Sequence, residues 1–384
     1  MIKNKDIVCF SFTDWGQEMV SNRFHILTRF AKHNRVFLFQ NPQYRSYFKF
    51  FFGCLGLDSV HKKDGLYLIS PFLSISEPLN RLIYCTFVNY IFKKYKINQP
   101  IFWFYNYNFY YLIDKFRPKI SCYHCTEDYV QSTKLLPVYE KNLPKVEEAE
   151  NNLLKRVDLV FAVSEYLGKR LSEINPKTYL AFNAVDYDFY RSSQGKKKGK
   201  FGGKPVLGYC GNLSAKMNYK LLFCLATEID CALILGGPVV CGNPYIEKLK
   251  KMSNVKFLGQ LPVKALPELY REFDVCLIPY IQDDWFVKAS QPLKLYEYMA
   301  SGKPIVSTKM DCLRKVKGLV YEAKTIEEFI AKTKIALKEN NLKLRLKRIE
   351  LAKQNTWDDR FTIINQKMEE ILALKYDATK ENEK

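Results

Sequence analysis

Short apolar runs of strand length alternate with helix-length amphipathic stretches, twice over, along this chain, and that alternation restricts the fold more than any other feature. Residues 6–12 (DIVCFSF) form a buried-strand run. Residues 21–32 carry Phe24, Leu27 and Ala31 on one helical face behind Ser21, a good N-cap, and 35–40 (RVFLFQ) read as the next strand. Such a strand–helix–strand unit implies a parallel sheet and a right-handed crossover. Strands are predicted again at 100–105, 119–124 and 157–164, and helices at 147–155 and 165–173. Between 186 and 205 the pattern stops in RSSQGKKKGKFGGK, a stretch without core residues that reads as a linker. A second series places strands at 205–209, 231–235, 255–258, 274–279 and 304–307. Helices fall at 216–227, 244–252, 266–272, 293–300, 325–337 and 341–353. The last helix opens at Thr356 with Asp359 as a capping-box partner, and the polar residues after about 376 are expected to fray.

The fold class is therefore α/β, with two Rossmann-like doubly wound domains. The expected division is 1–190, a basic Gly/Lys linker over 191–204, a second domain over 205–355, and a terminal helix and tail over 356–384. In such sheets ligands bind at the carboxyl ends of strands, and two such domains create a cleft.

Composition narrows the function. The 47% hydrophobic and 26% charged content excludes wholesale disorder and a small disulfide scaffold. Sixty basic against forty acidic residues give +20, and with a 15% aromatic share this points to an anionic partner. No nucleic-acid module is present, so nucleic acid is not expected. The N-terminus lacks a signal-peptide pattern, and no apolar run is long enough to span a membrane. Residues 44–52 (YRSYFKFFF) mix rings with Arg45 and Lys49 and are a candidate for lying on a bilayer; 101–111 (IFWFYNYNFYY) is equally aromatic. The 11 cysteines are odd in number and scattered singly, as buried thiols in a reducing cytosol would be. Cys122 and Cys125 lack the second ligand pair that a zinc site needs, so no metal is expected there.

Two stretches could hold phosphate. At 285–308 a loop enters a helix at Gln291-Pro292, with Lys294 in the first turn and Glu297 one turn on. A cation at that helix end is disfavoured unless an anion is near, and an acid beside a phosphate site commonly takes ribose hydroxyls. At 208–216 (GYCGNLSAK) a strand ends in Gly211, and the loop adds Ser214 and Lys216. Glycine lets a diphosphate approach the backbone and Lys neutralises it. In the first half, Glu127 and Asp128 follow a strand at its carboxyl end, where a carboxylate could take a proton from a hydroxyl; His124 is a second candidate. Asn22, Arg23 and His25 open the first helix and are candidates for acceptor contact, with His25 equally a core histidine. Asp186 and Asp188 form a D-x-D at the junction, read as structural rather than metal-binding.

The motifs G-N-L-S-x-K, N-V-x-F-L-G (254–259), F-D-V-x-L-I-P-Y (273–280) and P-L-K-L-Y-E-Y-M-A-S-G-K-P-I-V (292–306) resemble the donor domain of GT-B glycosyltransferases, most of all the bacterial family-four (glycosyl transferases group 1) proteins. S-N-R-F-H (21–25), C-Y-H-C-T-E-D-Y (122–129), R-V-D-L-V-F-A-V-S-E-Y-L (156–167), N-A-V-D-Y-D-F-Y (183–190), Trp357 and Arg360 carry the likeness over nearly the whole chain. The resemblance implies domains facing across a cleft, with the C-terminal helices packed back toward the N-terminal domain. It also implies transfer of a sugar from a UDP- or GDP-linked donor to a hydroxyl, without metal or other cofactor. Gly211, Asn212, Ser214 and Lys216, with Gly236, would meet the donor diphosphate. Phe257, Leu258 and Gly259 would contact the base. Ser290, Lys294 and Leu295 would line the helix entry, and Glu297 would hold the ribose. Asp128 aligns with an acid in relatives. Two departures stand out: Asn212 where the family often has Arg, and Ala289 where it has the first Glu of Glu-x7-Glu. The acceptor is expected to be a lipid-linked or other glycan, and the protein to sit in the cytoplasm against the anionic inner face of the cytoplasmic membrane. An epimerase of the same architecture and a nonenzymatic polyanion or membrane binder are the competing readings.

Overall fold

The computed structural model describes residues 1–15, 21–40, 43–45, 60–70, 72–74, 77–133, 143–195 and 199–382. The aromatic stretch 44–52 therefore falls outside the described residues from 46 on, as do linker residues 196–198. The chain divides into two units, Met1–Phe182 with Phe361–Lys384, and Asn183–Arg360.

In the first unit, β1 (Asp6–Phe10), β2 (Arg35–Phe39), β4 (Val60–Lys63), β5 (Leu66–Ile69), β7 (Ile101–Phe104), β8 (Ile120–Cys125), β9 (Leu159–Ala162) and β10 (Thr178–Leu180) make one sheet. Its order is β10-β9-β8-β7-β1-β2-β5-β4, parallel throughout except for the β4–β5 pair. The short strands β3 (Gln43–Arg45) and β6 (Phe72–Ser74) pair separately. Helices cover both faces of a parallel sheet, so its central strands carry unbroken apolar runs. All of β7 and β8 is buried. Aromatic side chains fill this core: Phe10 lies 5.1–5.8 Å from the rings of Phe39, Phe102, Phe104 and Phe109. The aromatic run at 101–111 is thus core, with Phe102 to Tyr105, Tyr107 and Phe109 buried. The helix Trp357–Asn382 runs on past the expected fraying point. Phe361 meets Phe30 edge-on at 4.8 Å, the Ile2 amide donates to Asn365 Oδ1, and Lys375 pairs with Asp158 at 2.6 Å.

The second unit has β11 (Val206–Cys210), β12 (Ala232–Gly236), β13 (Val255–Gly259), β14 (Val275–Ile278), β15 (Ile305–Thr308) and β16 (Tyr321–Ala323) in the order β13-β12-β11-β14-β15-β16, all parallel. Chain order reverses between β11 and β14, and in doubly wound sheets ligands bind in the crevice at such a switch point. Asp186 caps the turn of helix Tyr187–Tyr190 through the Phe189 amide, and Asp188 pairs with Arg191. Both acids of the D-x-D thus have partners within their own helical turn.

Candidate functional site

In the second unit the carboxyl ends of β11, β12 and β13 interlock through glycine. The Gly211 amide donates to the Gly236 carbonyl at 2.8 Å, and the Gly237 amide to the Gly259 carbonyl at 2.7 Å. Gly237 has φ +123°, and a Cβ there would stand 2.1 Å from the Gly211 carbonyl oxygen, so only glycine fits. Across the switch point, helix Leu293–Ser301 opens after Pro292. Its Lys294 brings Cε and Nζ to 2.2 Å from where a Gly211 Cβ would be, with Nζ 5.2 Å from the Tyr209 ring centroid. A side chain at 211 would displace the ammonium. Burial presses that ammonium down, but Tyr280, Glu297 and Cys210 outweigh it, and Lys294 stays above its ordinary pKa and charged. One turn on, Glu297 Oε2 accepts from the Tyr270 hydroxyl at 2.8 Å, and Tyr190 also donates to the carboxylate. Burial raises the Glu297 pKa; Lys294 and the two hydroxyls oppose it. Ser290, just before this helix, has a buried hydroxyl without a hydrogen-bond partner. Orphaned buried polar groups are costly, and a ligand oxygen would satisfy this one. Leu295 is buried core; Asn212 and Gly259 are exposed; Ser214, Lys216, Phe257 and Leu258 are partly exposed at the same sheet edge. A fixed ammonium, a free helix end and glycine-lined backbone suit an anionic, oxygen-rich ligand.

The first unit treats its candidates differently. Asp128 is 1% exposed; its Oδ1 accepts the Gln131 amide at 3.1 Å, capping helix Tyr129–Thr133. Its Oδ2 lies 3.8 Å from Arg170 Nε, and Arg170 is gripped by buried Glu150 at 2.8 Å. Burial raises the Asp128 pKa against the opposing pull of Arg170 and the Gln131 amide. Of the two readings of Asp128, acid–base group or helix cap, the contacts are those of a buried cap, with Oδ2 left without a hydrogen bond. His124 is wholly buried against Trp103, Tyr105 and Phe161, and burial drops its pKa to about 3. It is a neutral core imidazole, which corrects its placement among proton-transfer candidates. Glu127 is half-buried and accepts the Ser132 hydroxyl. His25 is buried with its pKa likewise down to about 3, by desolvation and by Arg29, the core alternative for that residue. Asn22 Oδ1 accepts from Tyr105, whose hydroxyl is 3.4 Å from His124 Nδ1. Arg23 donates to Ser11 Oγ and to the Thr13 and Asp14 carbonyls, holding the loop that leaves β1.

Residues 204–339 match the family model described as Glycosyl transferases group 1. TuaH of Bacillus subtilis, a glycosyltransferase named for teichuronic acid biosynthesis, is 28% identical over 187 residues, 46% of this chain. That match spans about half, 47%, of the curated relative's length. Among solved structures, sucrose-phosphate synthase of Thermosynechococcus elongatus superposes with a TM-score of 0.71 at 14% identity, covering 97% of this chain and 100% of its own. HepE of Anabaena in complex with UDP-glucose gives 0.69 at 15%, covering 95% and 99%. The chain has the GT-B fold.

Within this GT-B chain, sequence motifs found the helix entry and the glycine loop but missed the tyrosines around Glu297. Tyr190 stacks on Tyr270 at 5.6 Å, Tyr270 meets Tyr298 edge-on at 5.1 Å, and the Tyr298 hydroxyl accepts the Cys210 amide. Each sits in an apolar helical stripe that looks like ordinary core; only their nearness to one acid gives them a role. Asn183 stands in the N-A-V-D motif, and its amide donates to the Gln291 carbonyl at 2.6 Å, fixing the loop before the helix entry.

Proposed function

We propose that this protein transfers a sugar from a nucleoside-diphosphate sugar, UDP-linked in the first instance, to a hydroxyl of a lipid-linked or other glycan acceptor in cell-surface polysaccharide synthesis. The observation that carries the reading is the Lys294 ammonium held against Gly211 at the β11/β14 switch point. As the bond from the sugar's anomeric carbon to the diphosphate oxygen breaks, negative charge gathers on the leaving diphosphate. Lys294, Lys216, the helix end and the backbone amides stabilise it, the task that a metal performs in other architectures. Glu297, set by Tyr270 and Tyr190, holds the ribose. The acceptor hydroxyl forms the new bond to the anomeric carbon and gives up its proton. Glu127, the more open of the adjacent acids, is the assigned base, and Asp128 and Arg170 hold its turn in place. HepE has been solved with UDP, with UDP and glucose, and with UDP-glucose, which favours the uridine nucleotide. TuaH favours the polysaccharide setting. The protein works in the cytoplasm, attached to the anionic inner membrane face.

Isothermal titration with UDP and GDP tests the donor site. Wild type is expected to bind UDP, and Lys294→Met to weaken it by about 10–100-fold, the loss of one charge-assisted contact of about 1.5–3 kcal/mol. Absence of binding by either nucleotide, or an unchanged affinity in a folded Lys294→Met variant, overturns the assignment. Release of free UDP from UDP-sugar only when acceptor is added separates transfer from epimerisation.

A further inference from the structure

Helix Leu342–Lys353 presents two leucines to solvent. Leu342 is 65% and Leu346 54% exposed, one turn apart, and a shallow hollow is lined by Leu342, Lys343, Leu346, Lys347 and Glu350. The helix cannot rotate to bury them. Arg348, on the opposite side, is fully buried; its Nη1 and Nη2 donate to both Glu339 carboxylate oxygens at 2.6 and 2.7 Å, and its Nε to the Leu319 carbonyl. Ala352 is buried on that same side. Exposed Lys343 and Lys347 flank the leucines on one edge and exposed Arg345 on the other, with Lys353 in line further on. The single exposed acid, Glu350, accepts from Gln354. Just before the turn into this helix, Ile335 is 53% exposed between exposed Lys334 and Lys338.

We propose that this leucine–lysine face is a membrane-docking surface for anionic phospholipid. Apolar side chains at the centre of a helix face with basic side chains around them are what an interfacial helix needs: leucines enter the acyl boundary while ammonium groups remain among headgroup phosphates. Charge selects the occupant. Four exposed basic residues of the docking helix (343, 345, 347 and 353) stand against its one exposed acid. A second copy of the chain would bring the same positive patch against itself, which a two-fold contact penalises. An anionic bilayer is complementary to it. This surface belongs to the second unit, and it rests on the membrane attachment proposed above.

The test is co-sedimentation of the full chain with vesicles of phosphatidylcholine containing phosphatidylglycerol, and with phosphatidylcholine alone. Wild type is expected to pellet with the anionic vesicles only, and the double variants Leu342→Glu/Leu346→Glu and Lys343→Glu/Lys347→Glu to bind at least tenfold more weakly. All four positions are exposed, so folding is kept, and UDP titration of each variant confirms it. If wild type fails to bind, both this surface and the membrane attachment fall. If wild type binds and both variants bind equally well, this surface alone is wrong. A concentration-dependent dimer abolished by the leucine substitutions would also overturn the lipid assignment, in favour of a second copy.

Discussion

His124 shows how a single ring can serve the fold while looking like a catalyst. It lies within the buried β8 run, with its pKa lowered by burial to about 3, below the 6.5 of an ordinary histidine. A base whose folded pKa is depressed adds stability that is present above pH 6.5 and lost as pH falls toward 3, because the unfolded chain takes up the proton first. Denaturant midpoints measured from pH 7 to 4.5 should therefore fall less steeply in His124→Gln than in wild type. The difference should approach about 1.4 kcal/mol per pH unit once the unfolded histidine is fully charged. An identical slope would mean that the ring is open to solvent. What sequence disclosed at this scale was chemistry carried by the backbone or by isolated charge: Gly211 and Gly236 at strand ends and Lys294 at a helix start are recognisable from their neighbours along the chain. Asp128 was not, because a carboxylate after a strand looks the same whether it faces a ligand or caps the next turn. Only Arg170 and Glu150, contributed by separate helices, decide between them.

Elements were legible where periodicity is clean. The strands of both sheets are short apolar runs, and the last helix announces itself with Thr356 and Asp359, which exchange the expected capping bonds. Helix Glu77–Tyr95 was missed because apolar residues surround it: Tyr84, Val88 and Ile91 are buried, Phe87 and Tyr90 are partly buried, and Leu82 is 67% exposed, so no stripe stands out. The antiparallel hairpin β4–β5 was missed because β4 is mostly exposed and polar. The terminal helix supplies core to the first unit, although more than 170 residues separate it from the rest of that unit. Phe361, Ile364, Met368 and Ile371 are all buried, and Phe361 packs on Phe30. Phe361→Ala should cost the first unit about 3–5 kcal/mol, the usual loss for a buried phenylalanine. Urea denaturation followed by circular dichroism would show it as a lower midpoint, and a loss below 1 kcal/mol would mean that the helix is only loosely attached.

At the scale of the whole chain, the division into two units separates two kinds of chemistry. Every residue assigned to the nucleotide lies in Asn183–Arg360, and each is held there by partners from the same unit: Tyr190 and Tyr270 for Glu297, Gly211 for Lys294, Asn183 for the helix entry. Glu127 and the loop clamped by Arg23 belong to the other unit. A ligand stabilises only the cooperative unit that binds it, by mass action. Calorimetry of the full chain should therefore resolve a transition that UDP moves and a transition that it leaves in place. At a hundred times the dissociation constant the stabilisation is about 2.7 kcal/mol, equivalent to roughly 5–10 °C for a unit of this size. Glu297→Gln should shrink the shift of that transition while leaving the other where it was. Equal shifts of both transitions would show that the two units unfold as one, and a shift confined to the transition lowered by Phe361→Ala would place the nucleotide on the wrong half of the chain.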